Sequence, residues 1–495
     1  MWLSLKRLSG RYSWYEQLPG TLPGNDAHAS RKRRPSCGLS GRTWTKLAAA
    51  LTVLLTTAFI ASRIYRNAAA GLPLRLPYIA WSPIEDLPPL YDRFHRYELQ
   101  LPQHQANYSL SHSDRKYLWV ANHARGVGWG NVMQEMLLNH QLALKAGRSF
   151  VFTNYTWDDS GKPYSNFHGS SIPSTIPVSA LIRGPSAGAS ITGDAEAPLA
   201  VKKEYWDKVC PHPKLIRNAD VVSRFDREPS AQELLDAWVE VLTSTEDPVF
   251  GNRDRLLAIW PSLSASPVLT EFGWSSLIEL AFDQNREVFA PTAVLESYLT
   301  AEPVTTHVAR YTPIPGLLAL HVRRGDFAAH CRGLAEWGST YVGFNSFHSF
   351  PDTLQVPPDT KGADRKNIYQ SHCYPEIAQI VRKVQEVRRS EAGQGLRHMY
   401  VMTNGEEPWV QQLKAALARE GHWDSIATSR DIIVNAEQKY VKQAVDMLIG
   451  QRAQVFIGNG MTAQADYNYQ FSSLTGQISM LRMANGFAPG SIRFW

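Results

Sequence analysis

The residues best suited to chemistry lie at His321-Val-Arg-Arg-Gly-Asp326, where the apolar run Leu317-Leu-Ala-Leu-His-Val322 ends. Such a run reads as a buried strand, and ligands of open α/β sheets bind outside the carboxyl ends of strands. Arg323 and Arg324 at that end suit an anion, because a guanidinium stays charged at physiological pH and grips a phosphate with paired N–H donors. The alternative is a surface turn in which Asp326 merely orients one arginine through a weak ion pair. A second group is Val455-Phe-Ile-Gly-Asn-Gly460, followed by residues 461–470 and by Phe471-Ser-Ser-Leu-Thr475. Ser472, Ser473 and Thr475 there offer hydroxyls at an expected helix start, for capping or for a phosphate. The third is Asn122-His-Ala-Arg-Gly-Val-Gly-Trp-Gly130, a glycine turn opening a helix whose free N–H groups favour anionic or hydroxyl-rich ligands. It is not G-x-G-x-x-G and lacks the acidic residue of a dinucleotide fold, which argues against a nicotinamide cofactor.

The elements that must hold these groups read as two α/β series. A strand at 117–121, the glycine turn, a helix over 132–146 closed at Gly147, and a strand at 150–152 make a βαβ opening. Residues 169–198, rich in Ser, Gly, Pro and Ala, read as a long surface loop, and 203–301 as mixed helices such as 231–242. The second series comprises strands at 317–322 and 400–402, then a helix over 437–452 running into a strand at 455–457. That helix carries Val441, Ala444, Val445 and Leu448 as its apolar stripe. Two units, 114–315 and 316–495, would face each other across a cleft.

Taken together, the three groups resemble the protein O-fucosyltransferase family, most of all its membrane-anchored fungal members. The resemblance rests on the glycine/asparagine turn, on His-x-Arg with a following acidic residue, and on Asp446-Met-Leu-Ile-Gly-Gln-Arg-Ala-Gln-Val-Phe-Ile-Gly-Asn459 leading to Ser-Ser. It implies a GT-B fold of two Rossmann-like domains, with GDP-fucose as donor, no required metal and an inverting transfer to a hydroxyl of a protein or glycan. By matching positions, Arg323 would contact the donor diphosphate, His321 and Asp326 would shape that site, and Ser472 and Ser473 would bind phosphate or sugar oxygens. Gly128 and Asn131 would line the cleft. Fixed cationic and N–H donors suit this reaction because negative charge develops on the departing nucleotide. The turn has no Glu to serve as a base, and Glu135 lies on the helix beyond it. Residues 461–470 interrupt what otherwise reads Gly-Asn-Gly-Phe-Ser-Ser, either as a genuine loop or as a retained unspliced segment. Other nucleotide sugars, and an inactive glycan or peptide binder on the same fold, are the competing functions.

The 495 residues carry a net charge of +6, unevenly spread. Residues 1–66 hold eleven Lys/Arg against Glu16 and Asp26, a net +9, and the remaining 429 sum to −3, which argues against a nucleic-acid partner. The uncharged run at 47–62, between Lys46 and Arg63, predicts a membrane anchor over 47–64, and nine basic residues before it place a tail, 1–46, in the cytosol. Pro73, Pro77, Pro83, Pro88, Pro89 and Pro102 then suggest an extended stem over 65–113. The body would be lumenal, in the Golgi or endoplasmic reticulum. The sequons at Asn107 and Asn154 suit that side. Of Cys210, Cys331 and Cys373, the pair Cys331–Cys373 is the favoured disulfide and three buried thiols the alternative. No C-x-x-C or H-E-x-x-H spacing supports a metal site.

Overall fold

In the computed structural model the described residues are 87–111, 114–227, 229–244, 256–291, 311–325, 327–461 and 474–495. The expected tail and anchor, and with them Asp326, Ser472 and Ser473, lie outside these residues. No described helix is long and apolar enough to cross a membrane.

Helix α1, Asp92–Leu99, packs Glu98 into the body. The stem expectation is therefore corrected from here on: Tyr91, Leu101 and Gln103 are buried as well, and prolines outside the helix masked its short amphipathic pattern. Strand β1, Tyr117–Trp119, leads through the glycine turn into α2, Trp129–Lys145, and then into β2, Ser149–Phe152. Helix α2 buries Met133, Met136, Leu137 and Ala143, and ends in a Schellman motif. Gly147 adopts φ +63°, its N–H donates to Leu144 O at 3.0 Å, and Arg148 N–H reaches Ala143 O at 2.8 Å. Strand β3, Val201–Lys202, completes a three-stranded parallel sheet in the order β1-β2-β3.

Residues 169–198 are not the surface loop that their composition suggests. A hairpin of Tyr164–Phe167 and Ser170–Pro173 enters this stretch, and Ile176, Val178, Ala180, Leu181, Ile182 and Ala187 are buried in the main core. At this corner a buried Lys202–Glu98 ion pair joins β3 to α1, with Lys202 also donating to Asn154 Oδ1.

Strand β4, Ile314–Val322, begins the second sheet. It is followed by α3, Phe327–Trp337; α4, Gly362–Cys373; α5, Ile377–Arg389; β5, His398–Thr403; α6, Glu407–Glu420; and β6, Ser425–Thr428. Then come α7, Lys442–Arg452; β7, Ala453–Gly458; α8, Leu474–Ala484; and β8, Ile492–Phe494. The five strands are all parallel in the order β6-β5-β4-β7-β8. Alternation along the strands divides two cores. Leu318, Leu320, Val322, Val401 and Val455 face α5 and α6. Leu317, Ala319, Tyr400, Met402 and Phe456 face the other way, into a core shared with α7, α8 and the first sheet's α2. That shared core makes Asp86–Trp495 a single compact unit.

The expected helix over 437–452 is two helices, Ala436–Lys439 and α7. Asn435 caps the first through Gln438 N–H at 2.9 Å. A fully buried arginine, Arg482, ends the second. Its guanidinium donates to the carbonyls of Gly450, Gln451 and Ala453 at 3.1, 3.2 and 2.5 Å and to those of Gln454 and Ser491, both at 3.1 Å. Side-chain N–H groups thus take over from the N–H groups that a helix end lacks.

Candidate active site

In the second sheet the strand order reverses direction between β4 and β7, so the crevice outside their carboxyl ends is the position where such folds bind ligands. His321 and Arg323 leave β4 there, and Gly458-Asn459-Gly460 leaves β7. The two strand ends are joined through the first turn of α8. Thr475, fully buried, places Oγ1 2.7 Å from His321 Nδ1 and accepts the Asn459 N–H at 3.1 Å. The hydroxyl has two acceptor lone pairs and one proton, so it can serve either tautomer of a neutral imidazole at Nδ1 while accepting the Asn459 N–H. Desolvation first, and then the Arg323 charge, lower the His321 pKa to about 3, which agrees with the neutral form. Trp495 Nε1 donates to the His321 carbonyl at 3.1 Å, fixing the strand end from behind.

Gly458 permits this closure, since a Cβ there would stand 2.5 Å from Thr475 Cγ2. Asn459 is buried; its Nδ2 donates to Cys373 O at 2.8 Å and its Oδ1 accepts the Met461 N–H at 3.0 Å.

The paired arginines do different work. Arg323 is exposed at the crevice, its guanidinium carbon 5.9 Å from the Phe327 ring centroid. Arg324 is 5% exposed and turned away, between Tyr374 at 3.9 Å and Trp409 at 4.2 Å, with Nη1 donating to Pro375 O at 3.1 Å. The expectation that both meet an anion is corrected for Arg324. Strand parity explains the split: Val322 faces the core, and Arg324 follows two residues later on the same side. Asn404, beyond β5, brackets the Arg324 main chain by accepting its N–H at 2.7 Å and donating to its carbonyl at 3.1 Å.

The glycine turn of the first sheet stands opposite the second sheet's helices. Gly126 takes φ +66° and donates to Thr156 O at 3.0 Å, while Tyr155 Oη donates to Val127 O at 3.0 Å. An added Cβ at Gly128 would lie 3.9 Å from Gln443 Oε1 of α7, so the turn faces that helix. Asn131 is half-buried in the first turn of α2. One turn on, Gln134 Oε1 accepts from Gln477 Nε2 of α8 at 2.9 Å. Glu135 accepts the Ala124 N–H at 2.7 Å and lines a cavity of about 30 Å³ with His123, Asn139 and Trp119. Burial raises its pKa to about 7 against the opposing pull of the Ala124 hydrogen bond and Arg125.

Asp446, first residue of the matched run, accepts from Tyr400 Oη at 2.5 Å and from Ser429 Oγ at 3.0 Å, tying α7 to β5. Cys331 and Cys373 form a disulfide between α3 and the end of α4. Cys210 takes part in no disulfide. Asn107 is exposed, whereas the carboxamide oxygen of Asn154 holds Lys202. Among the described residues no group of three or more His, Cys, Asp and Glu is arranged to hold a metal ion.

Thr475, Asn404 and the partners of Arg324 are the site residues that sequence reasoning did not assign. Thr475 stood out only as a hydroxyl near a helix start, and Asn404 carried no signal beyond following a strand.

No family model and no curated protein matches the chain. Solved structures similar to it include POFUT1 in its apo form, 13% identical over 77% of this chain and 98% of that one, with a TM-score of 0.42. POFUT1 in complex with GDP-fucose is 14% identical over 77% and 98% of the two chains, at a TM-score of 0.36. POFUT1 in complex with GDP is 13% identical over the same shares, at 0.37.

Proposed function

We propose that the chain is a glycosyltransferase that moves fucose from GDP-fucose to a hydroxyl of a protein or glycan, on a GT-B-like pairing of its two parallel sheets. The observation that carries this reading is the meeting of His321, Thr475 and Asn459 at the reversal point of the second sheet, with Arg323 exposed beside them. The same residues belong to the motifs quoted above. In the reaction the bond between the anomeric carbon and the diphosphate oxygen breaks while the acceptor oxygen bonds to that carbon from the opposite face. The electron pair leaves with GDP, and the acceptor proton passes to solvent or a base. Arg323 supplies positive charge to the departing diphosphate, and a neutral His321, held by Thr475, shapes the pocket wall without adding charge. Asp326, Ser472 and Ser473 complete this proposal from sequence, and no metal is required. The basic tail and the run at 47–64 make the protein a type II membrane enzyme of the Golgi or endoplasmic reticulum.

The test is GDP release from GDP-fucose by the full-length chain with candidate acceptors, beside Arg323→Ala. Removal of one charge-stabilising donor is expected to lower kcat by about 10²–10³. Equal turnover by the two proteins refutes the role of Arg323. Selective binding of UDP-sugars rejects fucose, and GDP binding without turnover identifies an inactive binder.

A further inference from the structure

We infer that the Cys331–Cys373 disulfide, through the segment Cys373-Tyr374-Pro375, is a positioning clamp for both strand-end loops of the donor site. The inference rests on the reading of that crevice as the nucleotide-sugar site. Its physical basis is three consecutive residues that each hold one of the two loops. The Cys373 carbonyl accepts Asn459 Nδ2 at 2.8 Å, which holds the loop after β7. The Tyr374 ring stacks 3.9 Å from the Arg324 guanidinium carbon, and the Pro375 carbonyl accepts Arg324 Nη1 at 3.1 Å, which hold the loop after β4.

Each loop passes the constraint on to the crevice. Asn459 orders Met461 N–H through its own Oδ1 at 3.0 Å, and its N–H meets the Thr475 hydroxyl that also holds His321. Arg324 is locked on its second face by Trp409 at 4.2 Å and along its main chain by Asn404, so its neighbour Arg323 leaves a fixed point. Arg324 is in this sense a positioning residue; its charge is spent on an aromatic sandwich rather than on the crevice.

The segment that does this is the short connection between α4 and α5, whose N-cap is Glu376. Helix α4 packs on α3 around Leu334, Tyr369 and Phe350, and the disulfide bonds the last residue of α4 to α3 within that cluster. Both half-cystines are fully buried, so the bond sits where its effect is on the position of the next three residues rather than on a surface loop. A carbonyl aimed at a site loop must hold its place to a fraction of an ångström, since a shift of about 1 Å at supporting groups costs on the order of a hundredfold in activity.

The test compares the full-length chain with Cys331→Ser/Cys373→Ser, read by amide hydrogen exchange without ligand and by calorimetric titration with GDP. The expected result is faster exchange at Arg324, Gly325 and Asn459–Met461, unchanged exchange along β5 and β6, and GDP affinity weakened by about tenfold or more. Unchanged exchange and affinity in a folded double variant overturn the inference. If that variant fails to fold, Tyr374→Leu decides: its ring holds the loop after β4 while the Cys373 carbonyl still holds the loop after β7, so exchange should quicken at 324–325 and stay unchanged at 459–461, and unchanged exchange at 324–325 overturns the inference. Absence of GDP binding by the unsubstituted protein rejects the donor-site reading, while the exchange comparison still decides whether the segment positions the two loops.

Discussion

Replacing Thr475 by Val removes one oxygen and keeps the shape, which isolates the link between the two strand ends. The hydroxyl makes two hydrogen bonds, one with His321 Nδ1 at 2.7 Å and one accepted from Asn459 N–H at 3.1 Å, in a fully buried position. Each buried polar group left without a partner costs about 1–3 kcal/mol, and the added methyl returns roughly 1 kcal/mol. For the two groups together the net loss expected is about 1–5 kcal/mol. Thr475→Ser keeps both hydrogen bonds and gives up only a methyl, at about 1 kcal/mol. Equilibrium urea unfolding should therefore order the three proteins as Thr, then Ser, then Val, with GDP affinity falling in the same order because His321 and Asn459 lose their common tether. A Val variant within 1 kcal/mol of the parent, or a Ser variant less stable than the Val variant, would refute the claim that the hydroxyl rather than the packing joins β4 to β7.

Three further perturbations address other parts of the molecule. Arg482→Met leaves buried carbonyls at the end of α7 unpaired and should cost about 3–5 kcal/mol by denaturant titration, whereas a loss under about 1 kcal/mol shows that water replaces the guanidinium. Lys202→Met strands the Glu98 carboxylate in the core and should cost about 3–5 kcal/mol, much of it recovered when Glu98→Gln is added; additive losses contradict the pairing. Glu135 has a folded pKa of about 7 against an ordinary 4.5, so its ionisation opposes folding increasingly as pH rises through that interval and is fully felt above 7. The stability of Glu135→Gln relative to the parent should accordingly grow by about 1.4 kcal/mol per pH unit within that window, read as urea midpoints at pH 5 and 8, and a flat difference contradicts the burial.

The sheets were legible because parallel strands buried on both faces are continuous apolar runs. Leu317 to Val322 and Val455 to Ile457 announce themselves in this way, and the helix after the glycine turn does so by its spacing and by Gly147. What escaped depends on pairs distant in sequence. Nothing local marks Arg482 as the cap of a helix 30 residues earlier, since its acceptors are main-chain carbonyls with no side-chain signature. The buried stretch from Ile176 to Ala187 was hidden because small residues fill tight spaces in the core as readily as they fill loops. Arg324 was open to a better reading, as its parity with Val322 already placed it on the core side. Asp92–Leu99 is polar enough to pass for stem, and its buried Glu98 is explained by distant partners, the Lys202 ammonium and the Ser179 N–H at 2.7 Å.

The reversal point is assembled from groups far apart along the chain: His321 and Thr475 are separated by 154 residues, and Asn459 and Cys373 by 86. Pairing of β4 with β5 can begin once Thr403 has been synthesised, but the crevice does not exist until β7 and the first turn of α8 have joined β4. Non-local contacts of this kind form late, and the partly built sheet exposes the unpaired side of β4 in the meantime. A ligand held at the crevice binds only the completed arrangement, so it adds RT ln(1 + [L]/Kd) to the stability of that arrangement alone. On the proposed reading of the crevice as a nucleotide-sugar site, a nonreactive nucleotide analogue should raise the yield of folded protein and rescue variants such as Thr475→Val during synthesis.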